Sequence, residues 1–252
     1  MEKKNIHKYY KCKMQFNAKI NTDGEYRQFH GWTVICDIKN DFKFIENYIK
    51  YNNVLSKYFS PLPHSSYHIT LYNIWSNGRP LLDHQKKYIE HNFPFQKKKL
   101  EEFSKQQEFF NPGKCINELL YRLSYECQQN TWSEIKLKIK KVFYNGNTIR
   151  ISVKNWPVLD KMNNMRKRLT DICNNEDGMG NYHVTLGYKY KNIDDEEKKI
   201  IDNEVNILNM LLTDQTFILE SPTVRYFSDM KEFKPFTESF KLPDCIVKLC
   251  EE

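Results

Sequence analysis

The chain has 252 residues, of which 40% are hydrophobic, 28% charged and 14% aromatic. This composition excludes an intrinsically disordered protein, because enough apolar side chains are present to form a sizeable core. The net charge of +7 admits an anionic partner such as a phosphate-bearing ligand, but a surface rich in solvated lysine fits it equally well.

The cysteine pattern and the hydropathy indicate where the protein works. None of the seven cysteines forms a Cys-x-x-Cys pair, and the N-terminus lacks the apolar stretch of a signal peptide. No apolar run approaches the length of a membrane span. We therefore expect reduced thiols and no membrane partner, with the protein located in the cytoplasm or elsewhere inside the cell, including the nucleus. We also expect a monomer.

The first part of the chain predicts a strand, a helix and a second strand. Residues 31–38, "GWTVICDI", are rich in β-branched and aromatic side chains, as in a strand. Residues 41–59 place apolar side chains at helical spacing behind the N-cap candidate Asp41. The "SPLP" at 60–63 ends this helix, because proline cannot continue it. The next strand carries "SSYHITLYNIW", residues 65–75.

The second part repeats this order after an interruption. Residues 80–130 are charged and poor in β-branched side chains, which predicts a helical insertion outside a core of about 30–230. A hairpin is expected to turn at Asn145-Gly146. The remaining predicted elements are strands at 135–146 and 147–154, a helix at 158–173, a strand with "GNYHVTLGYKY" at 180–190, a helix at 193–213 and strand material at 215–229.

The order strand, helix, strand therefore occurs twice, as it would in two related halves of one domain spanning 1–252. Each half ends on a strand that contains Tyr-His-(Ile or Val)-Thr-Leu. Side chains two apart on a strand share a face, so His68 projects with Thr70, and His183 projects with Thr185. The intervening apolar residues face the other way, into the layer beneath.

Two such strands facing each other bring together the groups needed for acid and base catalysis. One imidazole can act as a base while the other, protonated, acts as an acid, and the threonine hydroxyls can donate to phosphate oxygens. This chemistry requires no metal. By chance about 0.3 His-x-Thr triplets are expected in a chain with this many His and Thr residues, and two with matching neighbours are far less expected.

The motifs also resemble a known family. In order, "FHGWTVICDI" (29–38), "LPHSSYHITLYN" (62–73), "NGRP" (77–80) and "NYHVTLGYKY" (181–190) are similar to blocks of the two-histidine (2H) phosphoesterase superfamily, the LigT-like and cyclic-phosphodiesterase proteins. The similarity is to a eukaryotic and viral subfamily with a Leu-Pro-x-x-Ser-Tyr-His-x-Thr motif and no assigned function.

The resemblance implies an α/β (α+β) bilobal fold with pseudo-two-fold symmetry, in which two antiparallel sheets with flanking helices face each other across a central cleft. It implies catalytic roles for His68, Thr70, His183 and Thr185, no cofactor, and substrates among cyclic phosphates, 2′,5′-linked oligonucleotides, ADP-ribose cyclic phosphate, cyclic dinucleotides and RNA 3′ ends. The family block commonly has Asn at the position of Trp32, which leaves the contribution of the first strand open.

Several other residues are candidates for substrate binding. Arg79 is a possible phosphate clamp, and Ser66 can hydrogen-bond either phosphate or its own backbone. Tyr188 and Tyr190 can stack on a base if a bulge at Gly187 turns them toward the cleft; otherwise they belong to the core or surface.

Three strand-borne cations, Arg150, Lys154 and Arg225, are alternatives to Arg79. No metal site is predicted, because His64 and His68 lie on an expected strand, where residues four apart do not meet.

The sequence therefore predicts a metal-independent phosphoric diester hydrolase that acts on a nucleotide or a short RNA. The alternatives are an RNA- or nucleotide-binding module, and an exonuclease or ligase that processes RNA ends on the same fold. With two imidazoles of ordinary pKa, the rate should follow a narrow bell centred within about a unit of neutrality.

Overall fold

The structure is a computed structural model that describes residues 19–76, 114–154, 156–173 and 181–236. Within these ranges it is an α+β protein with two antiparallel sheets and four α-helices. None of the described helices is long and apolar enough to cross a membrane.

The smaller sheet has four strands in the order β3-β1-β8-β9. Its core strand β1 pairs with β3 on one side and β8 on the other, both antiparallel. The first histidine motif therefore lies on an edge strand. The strands are β1 (Gly31–Asp37), β3 (His68–Ser76), β8 (Thr223–Phe227) and β9 (Lys234–Pro235).

The larger sheet has five strands in the order β2-β6-β5-β4-β7, so the second histidine motif lies between β2 and β5. The β4–β5 hairpin turns through Asn145 and Gly146 as predicted, and Gly146 adopts a positive φ of 89°. The strands are β2 (Phe59–Pro61), β4 (Ile135–Tyr144), β5 (Thr148–Lys154), β6 (His183–Lys189) and β7 (Thr216–Leu219).

The helices exchange partners between the two sheets. Helix α1 follows β1 of the smaller sheet but contacts β2 and β6 of the larger one, whereas α3 follows β5 of the larger sheet but contacts mainly β3 of the smaller one, with a lesser contact to β4. This reciprocal arrangement is what two related halves produce. The helices are α1 (Lys43–Tyr51), α2 (Lys114–Gln129), α3 (Trp156–Cys173) and α4 (Asp195–Leu212).

The helix α4 begins at the point that its acidic first turn predicts. The Asp194 side chain accepts from the backbone N–H of Glu197, and the Glu197 side chain accepts from that of Asp194. This capping box satisfies two N–H groups that the helix leaves without intrahelical partners. The buried face of α4, which includes Val205 and Leu208, then packs on β4.

Three expectations need correction. Helix α2 is not outside the core, since Leu120, Leu123 and Cys127 are buried and the helix packs on β8 and α3; the rest of the expected insertion, residues 80–113, lies outside the described residues. The helix expected over 41–59 ends at Tyr51, well before the prolines.

The strand material at 215–229 is two strands, β7 and β8, that belong to different sheets. The break falls at Glu220-Ser221-Pro222, where proline lacks the N–H that a continuing ladder requires.

Candidate functional site

The side chains of the two histidine motifs alternate between partly buried and fully buried positions, as the sequence predicts. Their apolar residues Ile69 and Val184 are fully buried, and Tyr67 and Tyr182 are buried as well. The histidines and threonines are only partly buried: His68, Thr70, His183 and Thr185. Each motif therefore presents an imidazole and a hydroxyl on a rigid apolar backing.

The structure brings the two motif strands together. Strands β3 and β6 contact each other although they belong to different sheets. The imidazoles lie within electrostatic reach, since a positive charge on His183 contributes to lowering the pKa of His68. Both motifs thus contribute to one site at the junction of the two sheets.

Both imidazoles are held through the same ring nitrogen. His68 Nδ1 donates to the carbonyl oxygen of Ser66 at 2.8 Å, and His183 Nδ1 donates to that of Asn181 at 3.1 Å. A carbonyl oxygen only accepts, so Nδ1 carries a hydrogen in both protonation states. Nε2 is therefore the atom that gains or loses a proton on each ring, and its position is fixed by the backbone.

The turn before β3 explains why Ser66 is well placed to hold His68. Its hydroxyl donates to the carbonyl of Pro63 at 2.8 Å and is buried, so Ser66 bonds the backbone rather than facing the cleft. His64, two residues before Ser66 in the same turn, is held by Glu46. The Glu46 carboxylate accepts hydrogen bonds from the His64 backbone N–H and from His64 Nδ1, both at 2.9 Å. Of the two partners considered for the Ser66 hydroxyl, a phosphate or the backbone, the structure shows the backbone.

Loss of hydration makes both imidazoles hard to protonate. Burial is the main cause that lowers the pKa of His68 to about 4 and also lowers that of His183. The ring of His68 packs against Phe233 with 4.3 Å between centroids. Without an anion nearby, both rings are therefore neutral at physiological pH, with Nε2 as a proton acceptor.

Positive side chains around the imidazoles act in the same direction. Lys19 lowers the pKa of both histidines, and Arg150 lowers that of His183. Arg150 Nε donates to the Thr148 hydroxyl at 2.6 Å, and no carboxylate contacts the guanidinium within the described ranges. Arg225 differs, because it forms a salt bridge with Asp37. Of the three strand-borne cations that the sequence suggested, Arg225 is thus paired, whereas Arg150 and Lys154 have no described ion pair, and Arg150 is the one whose charge acts on His183.

A bulge sets which face of β6 carries Tyr188. On β6 the register skips Leu186, so that Arg150 lies opposite Thr185 while Thr148 lies opposite Tyr188. Directly opposed residues share a face, so Tyr188 points to the same side as Arg150. Its hydroxyl accepts from Lys19 Nζ at 3.1 Å. The expected bulge is therefore present and puts Tyr188 on the face of Thr185, but its ring is only 5% exposed and packs in the core against Tyr26.

The other candidates lie elsewhere. Tyr190 donates its hydroxyl to the carbonyl of Ser56 at 2.7 Å and belongs to the packing between loops. Trp32 is fully buried beside Tyr226, on the opposite face of β1 from Asp37, the residue paired with His68. Arg79 lies outside the described residues.

Sequence reasoning missed Lys19 and Phe233. Both lie in irregular segments at the ends of the described chain, where no periodicity or motif singles out one residue. Among the described side chains, no group of three or more His, Cys, Asp or Glu residues is arranged to hold a metal ion.

Comparison with known proteins gives the fold a precedent. No family model matches the chain. It is 25% identical over 237 residues to "Uncharacterized protein 127L" of Invertebrate iridescent virus 6, covering 87% of this chain and 94% of that protein. The crystal structure of the conserved protein of unknown function ATU0111 from Agrobacterium tumefaciens str. C58 aligns with a TM-score of 0.64 at 13% identity, covering 88% of this chain and 90% of the other. At this identity the structural match shows a shared fold alone.

Proposed function

We propose that the protein is a two-histidine phosphodiesterase that hydrolyses a phosphodiester of a nucleotide or a short RNA by acid and base catalysis at His68 and His183. The observation that carries the proposal is the matched anchoring of the two rings. Each Nδ1 is bonded to a backbone carbonyl two residues earlier, which leaves both Nε2 atoms for proton transfer at one site. A purely structural histidine pair has no need of this duplicated arrangement.

The surroundings of the site suit a phosphodiester. Lys19 and Arg150 supply positive charge beside the imidazoles, and the hydroxyls of Thr70 and Thr185 share their face. These groups can donate to the non-bridging oxygens, whose negative charge offsets the repulsion between the cations. The bound phosphate also raises the pKa of both histidines, so that one of them becomes protonated.

We assign the base role to His68 and the acid role to His183. His68 has a pKa of about 4 and a ring covered by Phe233, so it remains neutral more readily. In this assignment His68 Nε2 removes a proton from the attacking water as the new P–O bond forms. His183 Nε2–H then donates its proton to the leaving oxygen as the old P–O bond breaks, which yields a phosphomonoester and an alcohol.

A pair of substrates with different leaving groups tests the assignment. A bis(nitrophenyl) phosphodiester releases a stable phenolate and does not need an acid, whereas a 2′,3′-cyclic nucleotide does. His183→Asn should therefore lose at least about 10²-fold in kcat on the cyclic nucleotide and far less on the activated diester. His68→Asn should lose a similar factor on both.

All assays are run in EDTA with a panel of 2′,3′-cyclic nucleotides, 2′,5′-oligoadenylate, cyclic dinucleotides and short RNAs. Turnover that persists in both single variants would refute the catalytic assignment. Tight binding of a nucleotide or RNA without turnover by the wild-type protein would instead show a binding module.

A further inference from the structure

The strands of the five-stranded sheet carry positively charged side chains and no negatively charged ones. Strand β4 alone contains four lysines, and β5 contains Arg150 and Lys154. One face of this sheet is covered, since α1 and α4 pack behind it on the apolar side chains. The cations therefore lie on strands whose other side chains form the core.

Strand register shows that the cations lie on the histidine face. Ser152 is opposite His183 on one side and opposite Lys141 on the other, and Phe143 is opposite Arg150. Lys154 shares the face of Ser152, because it is two residues further along β5, and Lys138 is opposite Lys154. We call Lys138, Lys141 and Lys154 the basic strip; Phe143 lies beside Lys141 on the same strand, and Lys141 Nζ is 5.7 Å from the centroid of its ring.

The basic strip has an electrostatic cost. Lys138 and Lys154 are directly opposed on neighbouring strands, a placement of like charges that destabilises a sheet. All three lysines are exposed, and none of them forms an ion pair with a described carboxylate. Lys136, in contrast, has Glu134 at 3.8 Å. A surface of this kind gains most from a partner with several negative charges.

We propose that the basic strip binds the backbone of a single-stranded oligonucleotide that continues from the phosphate held between the histidines, and that a base stacks on the half-buried ring of Phe143 when Lys141 moves from the ring to a phosphate. The proposal rests on the proposed function only for the position of that first phosphate. Two strand spacings separate His183 from Lys141, roughly 10 Å, a distance that about three nucleotides cover at about 3.4 Å of rise each. The substrate class is therefore an oligonucleotide strand and not a mononucleotide.

Binding to labelled single strands of about twelve nucleotides, DNA and RNA, measured by fluorescence anisotropy across a range of KCl concentrations, tests the proposal. The triple variant K138Q/K141Q/K154Q should bind the strands at least tenfold more weakly near 0.1 M salt. Its slope of log K against log salt should be smaller by about two, since single strands lose about 0.7 per phosphate contact. Phe143→Leu should weaken binding roughly fivefold or more.

The matched control is K167Q/K198Q/K199Q, which removes three exposed helix lysines and the same charge. It should leave affinity and slope near the wild-type values. An equal loss in both triple variants, an unchanged slope in the strip variant, or wild-type binding of a polyglutamate peptide as tight as that of the strand would overturn the proposal.

The experiment separates this proposal from the proposed function. If oligonucleotide binding depends on the basic strip but the protein hydrolyses no phosphodiester, the proposed function is overturned and the proposed role of the basic strip stands. If the protein turns over a 2′,3′-cyclic mononucleotide but the basic-strip variant binds oligonucleotides as the wild type does, the proposed function stands and the proposed role of the basic strip is overturned.

Discussion

The low pKa of His68 predicts how the stability of the folded protein depends on pH. The pKa is about 4 in the folded chain and about 6.5 in an unfolded one. Between these values the unfolded state binds more protons at this site, so the free energy of unfolding falls as the pH is lowered through the window. Linkage gives a loss of about 2 kcal/mol from this one group between about pH 8 and about pH 5.

His68→Asn removes the titration and keeps an N–H that can donate to the carbonyl of Ser66. The measurement is urea unfolding of both proteins at several pH values. Between about pH 8 and about pH 5, the unfolding free energy of the wild type should fall by about 2 kcal/mol more than that of His68→Asn.

Thr70→Val, on the same face of β3 and without a titrating group, is the control and should run parallel to the wild type. Parallel curves for His68→Asn and the wild type would refute the account of His68 as an imidazole kept neutral by burial.

Three further predictions concern the site and its support. Lys19→Gln should move both limbs of the kcat/KM profile to higher pH, because Lys19 lowers the pKa of both histidines, whereas Arg150→Gln should move only the limb of His183 and raise KM about tenfold or more. The wild-type kcat/KM bell should be centred on the acid side of about 6.5, below the neutral optimum expected from the sequence, and should be unchanged in EDTA. Gly187→Ala should lower the unfolding free energy by about 1–3 kcal/mol in thermal or urea unfolding, since its Cβ would lie 2.7 Å from the carbonyl oxygen of Ser60. Wild-type behaviour in these variants, or a wild-type bell centred at or above about 6.5, would contradict the contacts and pKa shifts on which the predictions rest.

The sequence predicts the motif strands well because their information is local. Alternation decides which side chains of Tyr-His-x-Thr-Leu face the core, and the buried Ile69 and Val184 bear this out. The hairpin at Asn145-Gly146 and the N-terminus of α4 are predicted for the same reason, since each depends on a few adjacent residues.

Features that depend on distant contacts are not predicted. The exchange of helices between the sheets, the burial of α2, and the separation of β7 from β8 are set by tertiary packing, which the local pattern does not contain. Lys19 and Phe233 reach the site from irregular segments for the same reason. The bulge on β6 is an intermediate case: Gly187 indicated its place, whereas the close approach of the Ser60 carbonyl, which requires a glycine there, comes from the distant strand β2.

A bound anion is needed to bring the two histidines to the protonation states that the proposed catalysis requires. Burial and the neighbouring cations keep both imidazoles neutral, whereas catalysis by the proposed route requires one of them to be protonated. An anion between the histidines raises the pKa of both rings and offsets the repulsion of Lys19 and Arg150. The proton needed by the leaving group is therefore held only when a phosphate is present, so the kcat profile should reach its optimum at a higher pH than the kcat/KM profile.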